Sequence, residues 1–276
     1  MYGVQELEIH VEDGPEEMER YVVDHGVRAF EIATFDYEDK IDELISLKER
    51  YGIYISAHAP HLYSNGVDLA TSDESLRQYS IEEIKKAVLI AEQIGSETLV
   101  THIGVYEDDR ADGLERTIDS YNQIAAFASE HNVDVLVENL PYKMIDNNEQ
   151  DTGRIYVGAT IEELREIADR TGLGLTYDVG HLFVSCFSRG TDYYEEDARV
   201  WDELGDVVKH VHLYDTWLED HDKHQPIGKA DMDVERVVQT MRDAGYEGRV
   251  VLEIAGNMEE RLDSYEKAAE YLEREE

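Results

Sequence analysis

Side chains of the metal-ligand type recur where strand-like runs of this chain end. The set combines histidine, aspartate and glutamate, and its members are His58, His102, Glu138, Asp178, His181, His212, Asp222, His224 and Glu253. Imidazole and carboxylate ligands without sulfur suit Zn²⁺, Mn²⁺, Fe²⁺ or Co²⁺ better than Ca²⁺. We therefore predict that these residues meet around one or more divalent ions, and the residue types alone do not choose among these four metals.

Two of these residues, Glu138 and Glu253, directly follow apolar runs at 135–137 and 250–252. Because alternate residues of a strand share one face, both carboxylates are expected to face the interior of a sheet or barrel. A charged glutamate is costly there unless it is paired or bound to a metal. Two inward carboxylates also repel each other when ionised, and a divalent cation between them would convert that repulsion into binding.

The elements that must position these residues alternate regularly along the chain. Eight strand candidates lie at 4–10, 28–33, 53–58, 97–103, 134–140, 173–178, 208–214 and 249–254. Helical periodicity lies near 15–25, 37–51, 74–94, 112–131, 160–171, 193–206, 232–244 and 259–273. This alternation predicts an α/β fold, a (β/α)8 TIM barrel forming a single domain over residues 1–276. The alternative is an open doubly wound sheet, but no glycine-rich phosphate fingerprint follows the first strand.

Charge is the most unusual feature of the composition. The 276 residues include 64 acidic and 25 basic side chains, which gives a formal net charge of −39. The acids are dispersed rather than gathered in a partner-binding tail, which favours a solvated acidic surface suited to high salt. Such a surface argues against broad nucleic-acid binding, because phosphate backbones are bound by Lys and Arg.

Several classes of protein are disfavoured by the sequence. No window approaches eighteen consecutive apolar residues, so no membrane span is predicted. The first residues lack the basic and apolar regions of a signal peptide, so we expect a cytoplasmic protein. Cys186 is the one cysteine, which excludes an internal disulfide and a thiolate zinc cluster.

Short motifs at the strand ends resemble one known superfamily. They are Ser56-Ala57-His58-Ala59-Pro60, Val100-Thr101-His102-Ile103-Gly104, Val137-Glu138-Asn139, Asp178-Val179-Gly180-His181, His210-Val211-His212-Leu213-Tyr214-Asp215, Asp222-Lys223-His224 and Val251-Leu252-Glu253. In order and spacing they resemble the xylose isomerase-like TIM-barrel superfamily, which contains endonuclease IV and the sugar phosphate isomerases and epimerases. The resemblance spans essentially the whole chain.

The resemblance implies two ligand patterns. The endonuclease IV pattern implies three ions, held by His58, His102 and Glu138, by Glu138, Asp178, His212 and Glu253, and by His181, Asp222 and His224. The sugar epimerase pattern implies one ion, held by the middle set of four residues. All nine residue types are present, so the chain is compatible with either pattern, and we expect one to three divalent ions, zinc or manganese.

Some positions depart from the endonuclease IV pattern. That family typically has Asp-Thr-Cys-His after the sixth strand, whereas this chain has Asp178-Val179-Gly180-His181, which looks more like the isomerase-type relatives. The loops after the first and fourth strands are acidic, with Glu12 and Glu107 among their residues. An acidic mouth is poorly suited to binding DNA, because it repels the phosphate backbone.

Two hypotheses about activity remain open. The leading one is a metal-dependent isomerase or epimerase of a sugar or sugar phosphate, in which Glu138 and Glu253 exchange a proton with the substrate and His181 orients a hydroxyl. The alternative is an endonuclease IV-like phosphodiesterase acting on abasic DNA. A metal-binding barrel with a structural or sensory role is a third possibility, and the sequence leaves the oligomeric state open.

The remaining histidines are interpreted by their positions. His10, His25, His131 and His221 are predicted to be surface or loop residues, and His210 is predicted to pack lower in the barrel. His61 is interpreted as a residue that supports the ligands or faces the substrate.

The acidic composition generates a prediction about stability. The free energy of unfolding should rise between dilute buffer and molar KCl, because counterions screen the repulsion among the charges that sum to −39. Denaturant unfolding at several salt concentrations measures this. A chain that is fully folded and equally stable in dilute buffer would count against the interpretation.

Overall fold

Parallel strands close into a barrel in the computed structural model of the chain, which describes residues 7–12, 14–107, 109–145, 150–219 and 221–273. The strands are β1 Leu7–His10, β2 Ala29–Ala33, β3 Tyr54–His58, β4 Thr98–Thr101, β5 Asp134–Glu138, β6 Lys143–Ile145, β7 Asp151–Ile155, β8 Gly174–Asp178, β9 Val208–Leu213 and β10 Arg249–Leu252. Eight of them form the barrel in the order β1-β10-β9-β8-β5-β4-β3-β2, and β2 pairs with β1 to close it. The predicted (β/α)8 barrel is confirmed, and the open sheet is wrong.

Helices surround the barrel. They are α1 Pro15–Arg20, α2 Ile41–Tyr51, α3 Leu62–Asn65, α4 Glu74–Ile94, α5 Arg110–Ser129, α6 Ile161–Thr171, α7 Val179–Arg189, α8 Tyr193–Leu204, α9 Val234–Asp243 and α10 Met258–Glu273, with a π-helical turn at Tyr21–His25 and a 3-10 turn at Thr34–Asp36. Side chains of Asp73, Asp109, Thr160, Asp192 and Asp233 accept hydrogen bonds from first-turn amides and so fix helix starts. No described helix is both long and apolar enough to cross a bilayer.

Several elements were not predicted from the sequence, and the short helix α3 is one of them. Helix α7 buries every residue from Val179 to Cys186, and only its last turn, with Phe187 and Arg189, is exposed, so most of its length shows no polar face. The antiparallel pair β6 and β7 lies between residues 141 and 159, where the sequence analysis predicted neither a strand nor a helix. Residues 4–6 of the first predicted strand lie outside the described residues, and other predicted strands are one to two residues too long at their ends.

Strand alternation separates an aliphatic layer from a polar interior. Val135 and Val137 of β5, like Val250 and Leu252 of β10, join the apolar cluster between the barrel and its helices. The alternate positions point inward, and several of them are polar and fully buried, among them Glu8, Glu31, Ser56, His210 and His212. TIM-barrel interiors are usually filled with branched aliphatic side chains. A polar interior of this kind indicates that it serves chemistry as well as packing.

The lower interior contains a buried carboxyl group with two polar neighbours. Ser56 Oγ donates a hydrogen bond to Glu8 Oε2 at 2.5 Å, and Arg249 Nη1 donates to Glu8 Oε1 at 3.1 Å. Burial raises the pKa of Glu8 to about 8, although the hydrogen bond from Ser56 and the charge of Arg249 act in the opposite direction. Glu8 is therefore largely protonated in the folded chain at neutral pH.

This carboxyl group predicts a pH-dependent contribution to stability. The folded chain retains a proton on Glu8 that the unfolded chain releases near pH 4.5, so this contribution is present at low pH and is lost as pH rises toward about 8. Glu8→Gln keeps the group neutral. The free energy of unfolding of the variant, relative to wild type, should therefore increase from pH 5 to pH 8, by a few kcal/mol at most. Urea unfolding of both proteins across this range measures the difference, and a constant difference would contradict the assignment.

Candidate metal centre

A cleft of about 580 Å³ opens at the carboxyl ends of the barrel strands. Seven of the nine predicted ligand residues line it: His58, His102, Glu138, His181, Asp222, His224 and Glu253. Asp178 and His212 lie beneath, with no exposed surface. The structure therefore brings together all nine side chains, although they are spread over positions 58 to 253 of the sequence.

The strand ends explain this convergence. His58, Glu138 and Asp178 are the last residues of β3, β5 and β8, and His212 lies inside β9. His102 and Glu253 each follow the last residue of a strand. Since parallel strands end at one mouth, the side chains at these positions face a common centre.

The first group of side chains surrounds one oxygen of Glu138. Glu138 Oε2 lies 3.1 Å from His102 Nε2 and 3.4 Å from His58 Nε2. The second oxygen, Oε1, lies 3.2 Å from His181 Nδ1 and 3.6 Å from His212 Nδ1. Glu138 thus stands between the first group and the second, the position expected of a bridging carboxylate.

The second group combines Glu138, Asp178, His212 and Glu253, each of which offers an atom within 4.8 Å of the others. His212 Nδ1 lies 3.1 Å from Glu253 Oε2 and 3.7 Å from Asp178 Oδ2. One imidazole and three carboxylates are a donor set that suits a divalent transition ion.

The third group combines Asp222 and His224, on the loop between β9 and α9, with His181 of α7. Asp222 Oδ2 lies 2.6 Å from His224 Nε2 and 3.4 Å from His181 Nε2. The carboxylate of Asp215, fully buried at the base of this loop, accepts hydrogen bonds from three backbone amides between residues 228 and 232. These bonds fix the path of the loop that carries Asp222 and His224 over the mouth.

Main-chain carbonyls orient three of the imidazoles. The Nδ1 atoms of His58, His181 and His224 each lie 2.8 Å from a backbone oxygen, of Ala59, Asn139 and Glu253 respectively. A carbonyl only accepts, so each Nδ1 carries the proton and donates it. In the neutral ring the Nε2 lone pair then faces the carboxylates, as in metal-bound histidines.

Two buried carboxylate oxygens have no hydrogen-bond donor among the described residues. Asp178 Oδ1 accepts from the His181 amide at 2.7 Å and from the Tyr214 hydroxyl at 2.8 Å, whereas its Oδ2 has no donor. Asp222 Oδ1 is in the same situation. Leaving a buried carboxylate oxygen unsatisfied is costly, and a bound cation removes the cost. The second and third groups therefore fit divalent ions.

Electrostatics at the site point in the same direction. Burial by itself raises the pKa of Glu138, yet the charges of His102 and His212 hold that pKa well below its usual range. Conversely, burial lowers the pKa of His224, but Asp222 and Glu253 raise it to about 10. The carboxylates thus require positive charge, which protonated imidazoles supply here. Divalent ions would displace those protons and take over the same role.

Gly180, a departure from the endonuclease IV pattern, has a steric cause. A β-carbon at Gly180 would lie 2.2 Å from the Tyr214 ring. The hydroxyl of Tyr214 is the donor to Asp178 Oδ1. Glycine at position 180 therefore makes room for the tyrosine that orients a candidate ligand.

The structure corrects one prediction and adds a residue that the sequence analysis missed. His10 was predicted to be a surface or loop residue, but it is only 8% exposed, and its Nδ1 lies 3.3 Å from Glu31 Oε1. The prediction was wrong because His10 ends an inward-facing strand. Glu31 was missed, although the same alternation that singled out Glu138 would have found it in the run 29–33.

The other histidines occupy the expected surroundings. His210 packs below the mouth, fully buried, as predicted. His25 is exposed, and His131 pairs with Glu92 on the helical surface. His221 is a loop residue, and it also lines the cleft. His61 lines the cleft too, and burial, together with the charges of His102 and His58, lowers its pKa to about 2.

Proteins similar in sequence carry two kinds of description. An uncharacterized protein of Methanocaldococcus jannaschii is 26% identical over 99% of this chain and 89% of its own length. A probable endonuclease 4 of Symbiobacterium thermophilum is 27% identical over 75% of this chain and 74% of its own.

Solved structures share the fold. A D-tagatose 3-epimerase-like protein superimposes with a TM-score of 0.81 at 24% identity, covering 98% of this chain and 97% of the other. A D-psicose 3-epimerase of Clostridium cellulolyticum H10, solved with D-tagatose, gives 0.72 at 15% identity, covering 97% and 98%. The family model described as xylose isomerase-like TIM barrel matches residues 20–275. On that match, together with the closed barrel, the chain belongs to the xylose isomerase-like TIM barrel family.

Proposed function

We propose that this protein is a divalent-metal-dependent isomerase or epimerase of sugars that acts by proton transfer between Glu138 and Glu253. One observation carries the proposal. The two carboxylates approach the same imidazole atom, His212 Nδ1, from different walls of the mouth, at 3.6 and 3.1 Å. Both also line the cleft in which a substrate would lie. Two carboxylates that flank one centre can serve as base and acid toward a single carbon.

The residues of the second group would hold the ion that the reaction needs. When bound, the ion would polarise a substrate carbonyl and the hydroxyl on the adjacent carbon, which acidifies the C–H bond of that adjacent carbon. One glutamate accepts that proton while the C–H electron pair forms a carbon–carbon double bond and the carbonyl π pair moves onto its oxygen, which gives an enediolate. The other glutamate, in its protonated form, then returns a proton to the carbon. His181, hydrogen-bonded to Asn139 O, would orient a substrate hydroxyl.

The charges around the mouth favour an uncharged sugar over a phosphate ester. Cationic side chains in the loops near the mouth are already paired with carboxylates: Lys143 with Asp151 at 3.4 Å, Arg154 with Glu107 at 3.0 Å and Lys223 with Glu219 at 2.9 Å. The cleft itself is bordered by Glu12 and Asp36, and its other cation, Arg261, lies 3.5 Å from Glu17. A phosphate placed there would meet negative charge without a dedicated counter-charge.

The solved structures support the isomerase or epimerase class at the level of the fold, and not the choice of substrate. The superimposable structures include D-tagatose 3-epimerase-like and D-psicose 3-epimerase proteins. Their identities to this chain, 24% and 15%, are too low to assign their substrates to it. The support therefore rests on shared architecture together with the two glutamates.

A second function is favoured by a specific observation. The third group, His181, Asp222 and His224, is fully assembled, and a single-ion epimerase has no need of it. Similar sequences include probable endonuclease 4 proteins. Three ions would suit a phosphodiesterase acting on abasic DNA. The net charge of −39 opposes binding to a polyanion, so we place this function second.

The leading proposal predicts metal-dependent proton exchange. Wild-type protein incubated in D₂O and molar KCl with Mn²⁺ or Zn²⁺ should incorporate deuterium beside the carbonyl of at least one unphosphorylated sugar in a panel, and not in the matching phosphate esters. Glu253→Gln removes one of the two proton-transfer groups and should lower kcat/KM by roughly 10²–10⁴ fold. Mass spectrometry of the recovered sugars measures the exchange.

The surface variant Glu92→Gln, on α4 beside His131, is the matched control and should exchange at the wild-type rate. The same preparations should be incubated with abasic duplex DNA and assayed for strand cleavage. Cleavage by wild type that is lost in Glu253→Gln, with no exchange in any sugar, would replace the epimerase proposal with the phosphodiesterase.

A further inference from the structure

A carboxylate below the metal-competent groups is surrounded by three imidazoles. Glu31, in β2, has no exposed surface. Its oxygens lie 3.3 Å from His10 Nδ1, 3.0 Å from His210 Nε2 and 3.2 Å from His212 Nε2. Nothing in the proposed proton transfer uses this arrangement. It shares His212 with the second group but otherwise consists of residues that the proposed reaction does not use.

His212 contacts two different carboxylate environments through its two nitrogens. Its Nε2 faces Glu31, and its Nδ1 faces Glu253, Glu138 and Asp178. A neutral imidazole has one protonated nitrogen and one lone pair, so the partner of one nitrogen decides what the other can do.

We propose that Glu31 is a positioning residue for the metal centre. By accepting the Nε2 proton of His212, it selects the tautomer whose Nδ1 lone pair faces the second group. The same carboxylate lies 3.3 Å from Nδ1 of His10, a residue that lines the cleft. Glu31 therefore links the orientation of a ligand to the orientation of a cleft-wall side chain. This inference rests on the proposed metal centre.

A substitution by glutamine tests the proposal. Glu31→Gln keeps the volume but replaces one acceptor oxygen with an amide that donates, so His212 can also place its lone pair on Nε2 and its proton on Nδ1. We expect the dissociation constant for Mn²⁺ or Zn²⁺ to rise 10–100 fold, the usual effect of losing a group that orients a ligand. Competition with a chromophoric chelator measures it. Glu31→Asp, which retains the charge, should recover part of the affinity.

Glu8→Gln is a matched control, because Glu8 is another fully buried carboxyl group inside the barrel. It accepts hydrogen bonds from Ser56 and Arg249, neither of which is a candidate ligand. Its metal affinity should stay within about threefold of wild type. Circular dichroism of each variant without metal checks that the barrel is folded.

A second measurement needs no folded variant of Glu31. In wild-type protein labelled with [15N]histidine and loaded with Zn²⁺, the His212 ring should show a protonated Nε2 and a metal-bound Nδ1, with assignment by His212→Asn. The reverse pattern would overturn the proposal even if Glu31→Gln failed to fold.

The outcomes separate this inference from the proposed function. If wild type binds no divalent ion tightly, the metal centre itself is wrong. If wild type binds and Glu31→Gln binds equally well, only the positioning role is wrong. Loss of one ion per chain in Glu31→Gln, with unchanged affinity for the rest, would also overturn it, since Glu31 would then be a ligand with His210 and His212.

Discussion

The cost of burying carboxylates at one point governs the architecture of this protein. Glu138, Asp178 and Glu253 are brought within one group at the mouth of the barrel, and Asp222 lies close by. Moving an ionised carboxylate out of water costs several kcal/mol even after the protein relaxes. The chain already has a large negative charge, so the surroundings offer little relief. Positive charge at the mouth is therefore a requirement of the fold, met by protonated imidazoles or by divalent ions.

The rest of the site keeps these side chains in place. Strand ends give them a common direction, and main-chain carbonyls fix the rings of His58, His181 and His224. The Tyr214 hydroxyl donates a hydrogen bond to one oxygen of Asp178, and the other oxygen has no donor among the described residues. A centre built on strands and supported in this way is rigid, which suits proton transfer between fixed carboxylates. The acidic rim then limits which substrates can approach the centre.

Much of this could be predicted from the sequence, because the relevant signals are local. A strand that ends in Glu138 or Asp178 identifies both its own position and the side chain that it presents to the mouth. Helix α7 was not predicted, because the run from Val179 to Cys186 is buried throughout and shows no alternation of buried and exposed positions. The pairing of Glu31 with His210 joins residues 179 positions apart across the barrel. Such contacts follow from barrel closure and register, which no local pattern encodes.

The central claim is that cations offset the repulsion among the carboxylates clustered at the mouth of the barrel. Anomalous diffraction tests it most directly. Crystals grown with Mn²⁺ or Zn²⁺ should be measured at the absorption edge of the metal. We expect an anomalous peak about 2.0–2.2 Å from atoms of Glu138, Asp178, His212 and Glu253. A structure with no peak there, in which these four side chains are held only by hydrogen bonds to one another, would contradict the account.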